Sequence, residues 1–554
     1  MKIKPLYNNN NIVSIEQILS DKGIDDIDEY LKPTNKYMEN PQEQVNMDKA
    51  IGLFYHNLLN RNKTYILSDS GDCDGITSTS ILYSYMKELE PKWTIKVGIH
   101  KGKERGLQDD ILLKYILAND IKFVIIPDAG TNDKKQAEIL KDNNIDLLVL
   151  DHHQLSTPIE YGVLVNNQQG NVDHFGSGCA ETFLFMKAFD NYIGGNFANK
   201  YIDMVGLSII SDCMNVCSQQ NRKYLYYGLL NYKRVNNPLL KELINQNGLI
   251  DKGDYSQKDI AFNVVPCINS VCRSDNMELK QEMLMGFMGL LDERKVNELL
   301  KKMKSQHSKQ QKLVNDFVDD HIEYIENKND KSVFIYASDD VPRAYSGLIA
   351  SKIKDRVNNK PTIILAKHGD NFIGSVRSDS PIREQLANNP YVDFAQGHSG
   401  IFGIGIKEKD YDNFVDSLDS LIIPLESDIS VLQSYPISSI PKRLFGYYEP
   451  YRALWGQGLE EPTFHIYNIK CTKDMVDIIG SNQNVLRIRY KGITLIKFFC
   501  NSLDKERFMC YNKFSLEVIG TLNLNEWNGK AYPQVIFDKY EISKREKQIL
   551  EDLI

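Results

Sequence analysis

Five short runs rich in Val, Ile and Leu recur between residues 64 and 165, at Thr64–Ser68, Thr94–Gly98, Lys122–Pro127, Asp146–Leu150 and Gly162–Val165. Helix-like stretches separate them, and this alternation predicts β-strands joined by crossover helices in a parallel sheet. After Asn221-Arg222 the pattern turns mostly helical. Met277–Asn327 is long, charged and poor in Gly and Pro apart from Gly286 and Gly289, which predicts a connecting helical arm. Strand signals return at Ser332–Tyr336 and Pro361–Ala366, and the alternation to about Leu425 predicts a second α/β domain. From Pro436 onward the runs become short and alternating, at Phe464–Ile469, Val485–Tyr490, Ile493–Phe499, Leu516–Leu522 and Gln534–Phe537. Such runs predict a small β-barrel of about five strands, of the OB-like kind.

Length and composition fit that organisation. A chain of 554 residues accommodates three or four domains, and 42% hydrophobic with 25% charged residues is the balance of a folded protein. The net charge of −8 excludes a uniformly basic coat for nucleic acid. Residues 440–554 nevertheless carry 17 Lys and Arg against 14 Asp and Glu, so the chain is mildly polarised. No run approaches the ~18 apolar residues that would span a bilayer, and the first residues lack the apolar core of a signal peptide, so the expected compartment is the cytoplasm. Nine scattered cysteines without a CxxC pair are expected to be reduced thiols.

In a parallel sheet, ligands bind beyond the carboxyl ends of the strands. The residues that end the predicted strands are overwhelmingly acidic or imidazole-bearing. Asp69-Ser70-Gly71-Asp72-Cys73-Asp74-Gly75 follows the first run, Asp128-Ala129-Gly130 the third and Asp151-His152-His153 the fourth; Asp212 follows the later apolar run Ile209-Ile210. Carboxylates at alternate positions of an extended turn can point at one divalent cluster, though the same Asp-rich segment also suits a helix N-cap. Adjacent histidines in extended chain point in different directions, so one could ligate a metal while the other meets a phosphate. Asp74, Asp128, His152 and Asp212 are separated by 54, 24 and 60 residues, so they meet only if successive strands bring them to one edge. Oxygen ligands with one His favour Mn²⁺ or Mg²⁺ over structural zinc, and two such ions about 4 Å apart are the usual device for activating water against a phosphodiester.

Taken together, Asp72-Cys73-Asp74-Gly75, Asp128, Asp151-His152-His153 and Asp212 resemble motifs one to four of the DHH phosphoesterases. Within that family the chain most resembles the RecJ type, single-strand-specific 5′ to 3′ DNA exonucleases. The resemblance continues through Pro266-Cys267-Ile268-Asn269-Ser270-Val271-Cys272-Arg273, Gly374-Ser375-Val376-Arg377-Ser378 and Gln396-Gly397-His398, the last a mark of the DHHA1 domain. Trp455-Gly456-Gln457-Gly458-Leu459 resembles the entry to the family's OB domain. The resemblance implies that Asp72, Asp74, Asp128, His152 and Asp212 bind two ions, Mn²⁺ or Mg²⁺, with Asp128 as the bridge. It implies that Asp151 orients the adjacent imidazole and that His153 bonds the scissile phosphate. Asn269, Arg273, Ser375, Arg377, Gly397 and His398 would hold the strand. The basic loop containing Arg105 could line its path or be merely solvated.

The chain departs from the family pattern in three places. Ser70 stands where motif one usually has its first Asp, with Asp69 one place earlier as a candidate substitute; Gln396 replaces a Gly; and Val341-Pro342 replaces the usual Trp-His. The expected architecture is a DHH parallel-sheet domain (1–220), a helical connector (221–328), a DHHA1 α/β domain (329–430) and an OB-like barrel (431–554). The expected function is metal-dependent hydrolysis of single-stranded DNA by a monomer, off the membrane, loaded by a single-strand-binding protein or a helicase. Two alternatives stay open: a phosphodiesterase of short oligonucleotides or cyclic dinucleotides, and a catalytically silent DNA-binding scaffold.

Overall fold

The computed structural model describes the chain except residues 1, 9–10, 35–39, 102–105, 109, 171, 250–254, 328–331, 358, 398, 423–427, 481–482, 528–529 and 545–554. Its first sheet has five parallel strands in the order Ile95–Ile99, Thr64–Ser68, Phe123–Pro127, Asp146–Asp151, Val163–Asn166. Alternate side chains serve opposite faces, as strand geometry requires. Ile66, Phe123, Ile125, Leu148, Leu150 and Val165 enter one core, and Tyr65, Leu67, Val124, Ile126, Leu147, Val149 and Leu164 another. Burial on both faces explains the unbroken apolar runs.

The helical arm is interrupted twice, after Phe287 and at His321, where the short helix Ile322–Asn327 begins. Met277–Phe287 ends before Gly289, which adopts φ +73°, and Asp292 caps the helix Glu293–Asp320 through a bond from the Lys295 N–H. At 1.5 Å per residue, those 28 residues reach about 42 Å. Val296, Leu299, Leu300 and Met303 pack into the first core, whereas Val314, Phe317 and Val318 join the core of the second α/β unit. That unit has five strands in the order Val392–Gly397, Ile401–Lys407, Asn371–Arg377, Thr362–His368, Phe334–Ser338, and only the last pair is parallel.

The C-terminal sheet has seven strands rather than the expected five. They run Gln433–Pro436, Phe464–Thr472, Lys513–Trp527, Lys530–Lys544, Ile493–Lys497, Val485–Tyr490, Val476–Ile479. The two additional strands have four residues each and little apolar alternation; one ends in Pro436. Val476–Ile479 follows Phe464–Thr472 after a three-residue turn yet lies at the far end of the strand order, so one segment supplies strands toward both ends of the sheet. All nine cysteines are free thiols. Among the described residues, no helix is long and apolar enough to cross a membrane.

Candidate active site

The turn after Thr64–Ser68 runs into the helix Cys73–Leu89, and Asp72 is that helix's N-cap, its Oδ1 accepting the Gly75 N–H at 3.3 Å. The turn lies tight against the helix: a Cβ at Gly75 would stand 1.6 Å from the Asp69 carbonyl oxygen. Asp69 therefore does not cap the helix. It is buried, with Oδ1 3.4 Å from the Gly71 N–H. Ser70, at the position of the expected carboxylate, turns toward the next strand: its Oγ accepts the His100 N–H at 2.8 Å and donates to the His100 carbonyl at 3.3 Å. A carboxylate could make the first of these bonds but not the second. Buried Lys280 also donates to the His100 carbonyl, at 3.0 Å.

Asp74 lies one residue into the helix and is fixed from a second element. The Gly178 and Cys179 N–H groups, at the start of the helix Gly178–Ile193, donate to its Oδ2 and Oδ1, both at 2.9 Å. The Ser208 hydroxyl donates to Oδ1 at 2.5 Å and is itself 2.5 Å from the Ser177 hydroxyl. A helix N-terminus suits a carboxylate, because its unpaired N–H groups carry partial positive charge.

Asp128 ends its strand in the left-handed conformation, φ +65°, with its N–H bonded to the Leu150 carbonyl at 2.8 Å. Its Oδ1 is buried, finds no hydrogen-bond donor among the described residues, and lies 3.2 Å from His152 Nε2. The same nitrogen is 3.5 Å from Asp212 Oδ2 and 3.8 Å from Asp74 Oδ2. Asp74, Asp128, His152 and Asp212 thus converge. Asp212 arrives differently from the strand-edge expectation: it is the C-cap of the helix Ile202–Ser211, so its apolar run was a buried helix. Apolar runs of that length do not distinguish the two.

Asp151 corrects a second expectation. Its Oδ1 accepts the His153 Nδ1–H at 2.7 Å and the backbone N–H of His152 at 2.7 Å, so it orients the ring of His153, not that of His152. Residues i and i+2 of an extended chain share a side, which explains the choice. Its Oδ2 accepts the Thr131 hydroxyl at 2.6 Å and the Thr131 N–H at 3.1 Å.

Burial first, and then the neighbouring charges, set the titration of the site. Burial, then the carboxylates of Asp74 and Asp72, push Asp128 well above the usual carboxylate range. Burial pushes Asp212 up to about 7, with Asp74 and Asp72 adding to it and His152 opposing. Burial would lower both imidazoles, yet Asp212, Asp74 and Asp151 together raise His152, and Asp151 raises His153 to about 9. The two rings in turn hold Asp151 well below the ordinary range despite its burial.

Of the residues expected to hold nucleic acid, Asn269 is committed elsewhere. Its Oδ1 accepts the Cys73 N–H at 3.0 Å, one of the unpaired donors in the first turn of a helix. Arg273 closes the helix Val265–Cys272. Arg377 is close enough for the like charge of Arg273 to add to burial in lowering it to about 10. The Ser375 hydroxyl is 3.0 Å from that of Ser346, at the start of the helix Ser346–Arg356. Arg377 Nη1 donates to the Val376 carbonyl at 2.8 Å, and its Nη2 stands 2.3 Å from where a Cβ at Gly347 would be, so its guanidinium lies against that helix start, a place that suits an anion. The Gly397 carbonyl accepts from the Arg383 guanidinium at 2.7 Å. His398 and Arg105 lie outside the described residues.

Sequence reasoning missed Ser177, Ser208, Thr131 and Glu181, a buried acid whose charge reaches His152. Ser208 lies four residues before Asp212, a helical spacing that would have carried the signal had the run been taken as a helix.

A DHH domain and an OB domain are thus both present, with the acidic cluster at the strand ends of the first. Residues 63–209 match the DHH family, N-terminal domain, and residues 448–539 match the RecJ OB domain. In domain order and fold the chain is of the RecJ type. It is 26% identical to a Bacillus subtilis protein named as an SPbeta prophage-derived single-strand DNA-specific exonuclease, YorK, over 98% of each chain. It is 21% identical to the single-stranded-DNA-specific exonuclease RecJ of Bacillus subtilis, over all of this chain and 72% of that one. Among solved structures, RecJ of Thermus thermophilus with Mn²⁺ shares the fold, with TM-score 0.76 and 19% identity over 98% of this chain and 79% of that one.

Proposed function

We propose that the protein is a divalent-metal-dependent exonuclease that hydrolyses single-stranded DNA from the 5′ end, in recombination, repair or replication. The observation that carries this is the convergence of three carboxylates on His152 Nε2 within 3.2–3.8 Å, in a chain similar over its whole length to single-strand-specific exonucleases. The donor set fits hard cations: it is rich in carboxylate oxygen, has one imidazole, and leaves Asp128 Oδ1 buried without a hydrogen-bond donor. We assign Asp72, Asp74, Asp128, His152 and Asp212 to two ions, Mn²⁺ or Mg²⁺, with Asp69 as a further candidate.

When bound, such ions supply Lewis-acid charge and an acidified water. The chain's own groups do the positioning. The N–H groups of Gly178 and Cys179 and the Ser208 hydroxyl fix Asp74. Asp151 keeps the His153 ring protonated and turned, so that its Nε2 donates to the scissile phosphate. Arg273 and Arg377, with Ser375, receive a neighbouring phosphate. We divide the chain at residues 220, 328 and 430. We assign it to the cytoplasm as a monomer loaded by a single-strand-binding protein or helicase.

The test uses strands labelled at either end, incubated with Mn²⁺, Mg²⁺ or chelator. Mononucleotide released first from the 5′ label, only with metal, is the expected result. Loss of the 3′ label first, or internal nicking of a circular strand, would refute the assignment.

A further inference from the structure

Asn166 ends the edge strand Val163–Asn166 of the first sheet and is the register partner of Asp151 on the neighbouring strand. It is buried, as are Thr131 and Asp151, whereas the His153 side chain is 41% exposed. An imidazole exposed to that degree keeps its rotamer freedom unless a partner behind it removes it. The Asn166 amide reaches three separate segments. Its Nδ2 donates to the Thr131 hydroxyl and to the His153 carbonyl, both at 2.9 Å, and its Oδ1 accepts the Gln168 N–H at 2.8 Å. Both amide protons and the amide oxygen are thus engaged, and the group cannot turn over without losing all three bonds.

That commitment fixes the direction of the bonds beyond it. Asn166 Nδ2 can only donate, so the Thr131 hydroxyl accepts from it and gives its single proton to Asp151 Oδ2, 2.6 Å away. The Thr131 N–H donates to the same oxygen at 3.1 Å. Oδ1 accepts the His153 Nδ1–H at 2.7 Å, beside the N–H groups of His152 and His153 at 2.7 and 3.2 Å. The bonds close a circuit that runs from Asn166 through Thr131 and Asp151 to the His153 imidazole, and from the His153 carbonyl back to Asn166. Both the imidazole and the backbone of His153 are thereby tied to one edge strand, and each proton along the way points toward Asp151.

We infer that Asn166 and Thr131 are positioning residues for hydrolysis: they fix the Asp151 carboxylate from behind, and through it they aim the His153 imidazole at the scissile phosphate. The inference rests on the exonuclease function, and on the role of His153, proposed above. The circuit needs donors at both positions. A carboxylate at position 166 would have no proton for the Thr131 hydroxyl or the His153 carbonyl, and a valine at position 131 would keep the shape of the side chain but break the chain of protons.

The test is a double-mutant cycle on the full-length protein, read as single-turnover hydrolysis of a labelled strand at saturating Mn²⁺. Asn166→Ala and Thr131→Val should each lower the maximal rate about 10- to 100-fold, and Thr131→Val carries the test should Asn166→Ala fail to fold. Thr131→Ser restores the hydroxyl and should recover most of that rate. In a His153→Ala background, Asn166→Ala and Thr131→Val should change the rate less than about twofold, because the group they act through is gone. A second readout needs neither metal nor strand. In protein carrying ¹⁵N-labelled histidine, kept in chelator, the His153 Nδ1–H proton is identified by its absence from His153→Ala. It should be seen in the wild type and in Thr131→Ser, and be lost to exchange with water in Asn166→Ala and Thr131→Val. Equal rate losses in both backgrounds, or an undiminished Nδ1–H signal in Asn166→Ala and Thr131→Val, would overturn the inference. A wild type that leaves the strand intact, or a His153→Ala variant as fast as the wild type, would instead overturn the function and the His153 role proposed above, whatever the proton signal shows.

Discussion

Gly178 offers a perturbation whose size can be worked from the structure. Its N–H donates to Asp74, and a Cβ at this position would stand 2.3 Å from Asp128 Oδ1, 2.5 Å from Asp128 Cβ and 2.6 Å from Asp128 Cγ. Gly178→Ala must therefore move Asp128, the helix start, or both by about 1 Å to restore ordinary contact. Asp128 has little freedom to yield, since its left-handed backbone is tied to Leu150. Misplacement of a reacting assembly by about 1 Å can cost on the order of 100-fold in rate. Overpacking of a buried site costs typically about 1–3 kcal/mol, so the variant should remain folded. The assay is single-turnover hydrolysis of a labelled strand at saturating Mn²⁺, beside a thermal melt. A folded variant within twofold of the wild-type rate would refute the close packing of Gly178 on Asp128 as a determinant of activity.

Asp128→Ala should abolish hydrolysis while the metal-free protein melts at or above the wild-type temperature, because it removes a carboxylate disfavoured by burial and by Asp74 and Asp72; residual full activity would sink its assignment as bridge. At 100 times its Kd, Mn²⁺ should stabilise the wild type by about 2.7 kcal/mol and this variant markedly less, read from melts with and without the ion. Asp69→Asn should raise the Mn²⁺ concentration needed for activity, since Asp72 and not Asp69 caps the helix; an unchanged titration midpoint would confine Asp69 to shaping the turn. Asp203 is buried away from the acidic cluster, where it accepts the N–H groups of Asn236, Asn237 and Met204, and burial raises it to about 6. Between that value and its unfolded value near 3.9 the folded state binds the extra proton, so this group's contribution to stability rises as pH falls from about 6 to 4. In Asp203→Asn that component of the pH dependence, followed by denaturant melts, should disappear; an identical pH profile would refute it.

Much of the architecture was legible because burial on two faces leaves an unmistakable trace. All five strands of the first sheet fall within a residue of the apolar runs, and the acids that end them stand at its carboxyl edge. The failures have local causes. Val476–Ile479 and Gln433–Pro436 are too short to show a period, and Pro436 argues against a strand. The run before Asp212 gave no hint of helix because every side chain from Met204 to Ile210 is buried, which erases the polar face on which periodicity depends. The supporting residues were hidden for another reason. Ser208 and the Gly178 N–H meet Asp74 across 134 and 104 residues, and serines, threonines and glycines are too common to stand out until the fold places them.

The replacement of a motif-one carboxylate by Ser70 has a consistent electrostatic logic. Asp69, Asp74 and Asp72 already surround Asp128, and each raises its carboxyl. A further carboxylate at position 70 would add to that repulsion and would forfeit the donor to the His100 carbonyl. The serine instead ties the end of the neighbouring strand to the motif-one turn, and Lys280 reinforces the tie from the helical arm while its ammonium feels the charge of Asp69. Motif one is thereby held to the arm helix Met277–Phe287, whose chain continues through the long helix to the unit carrying Arg377. Ser70 thus leaves the acidic cluster one negative charge lighter and ties the motif-one turn, through His100 and Lys280, to the arm that leads to Arg377.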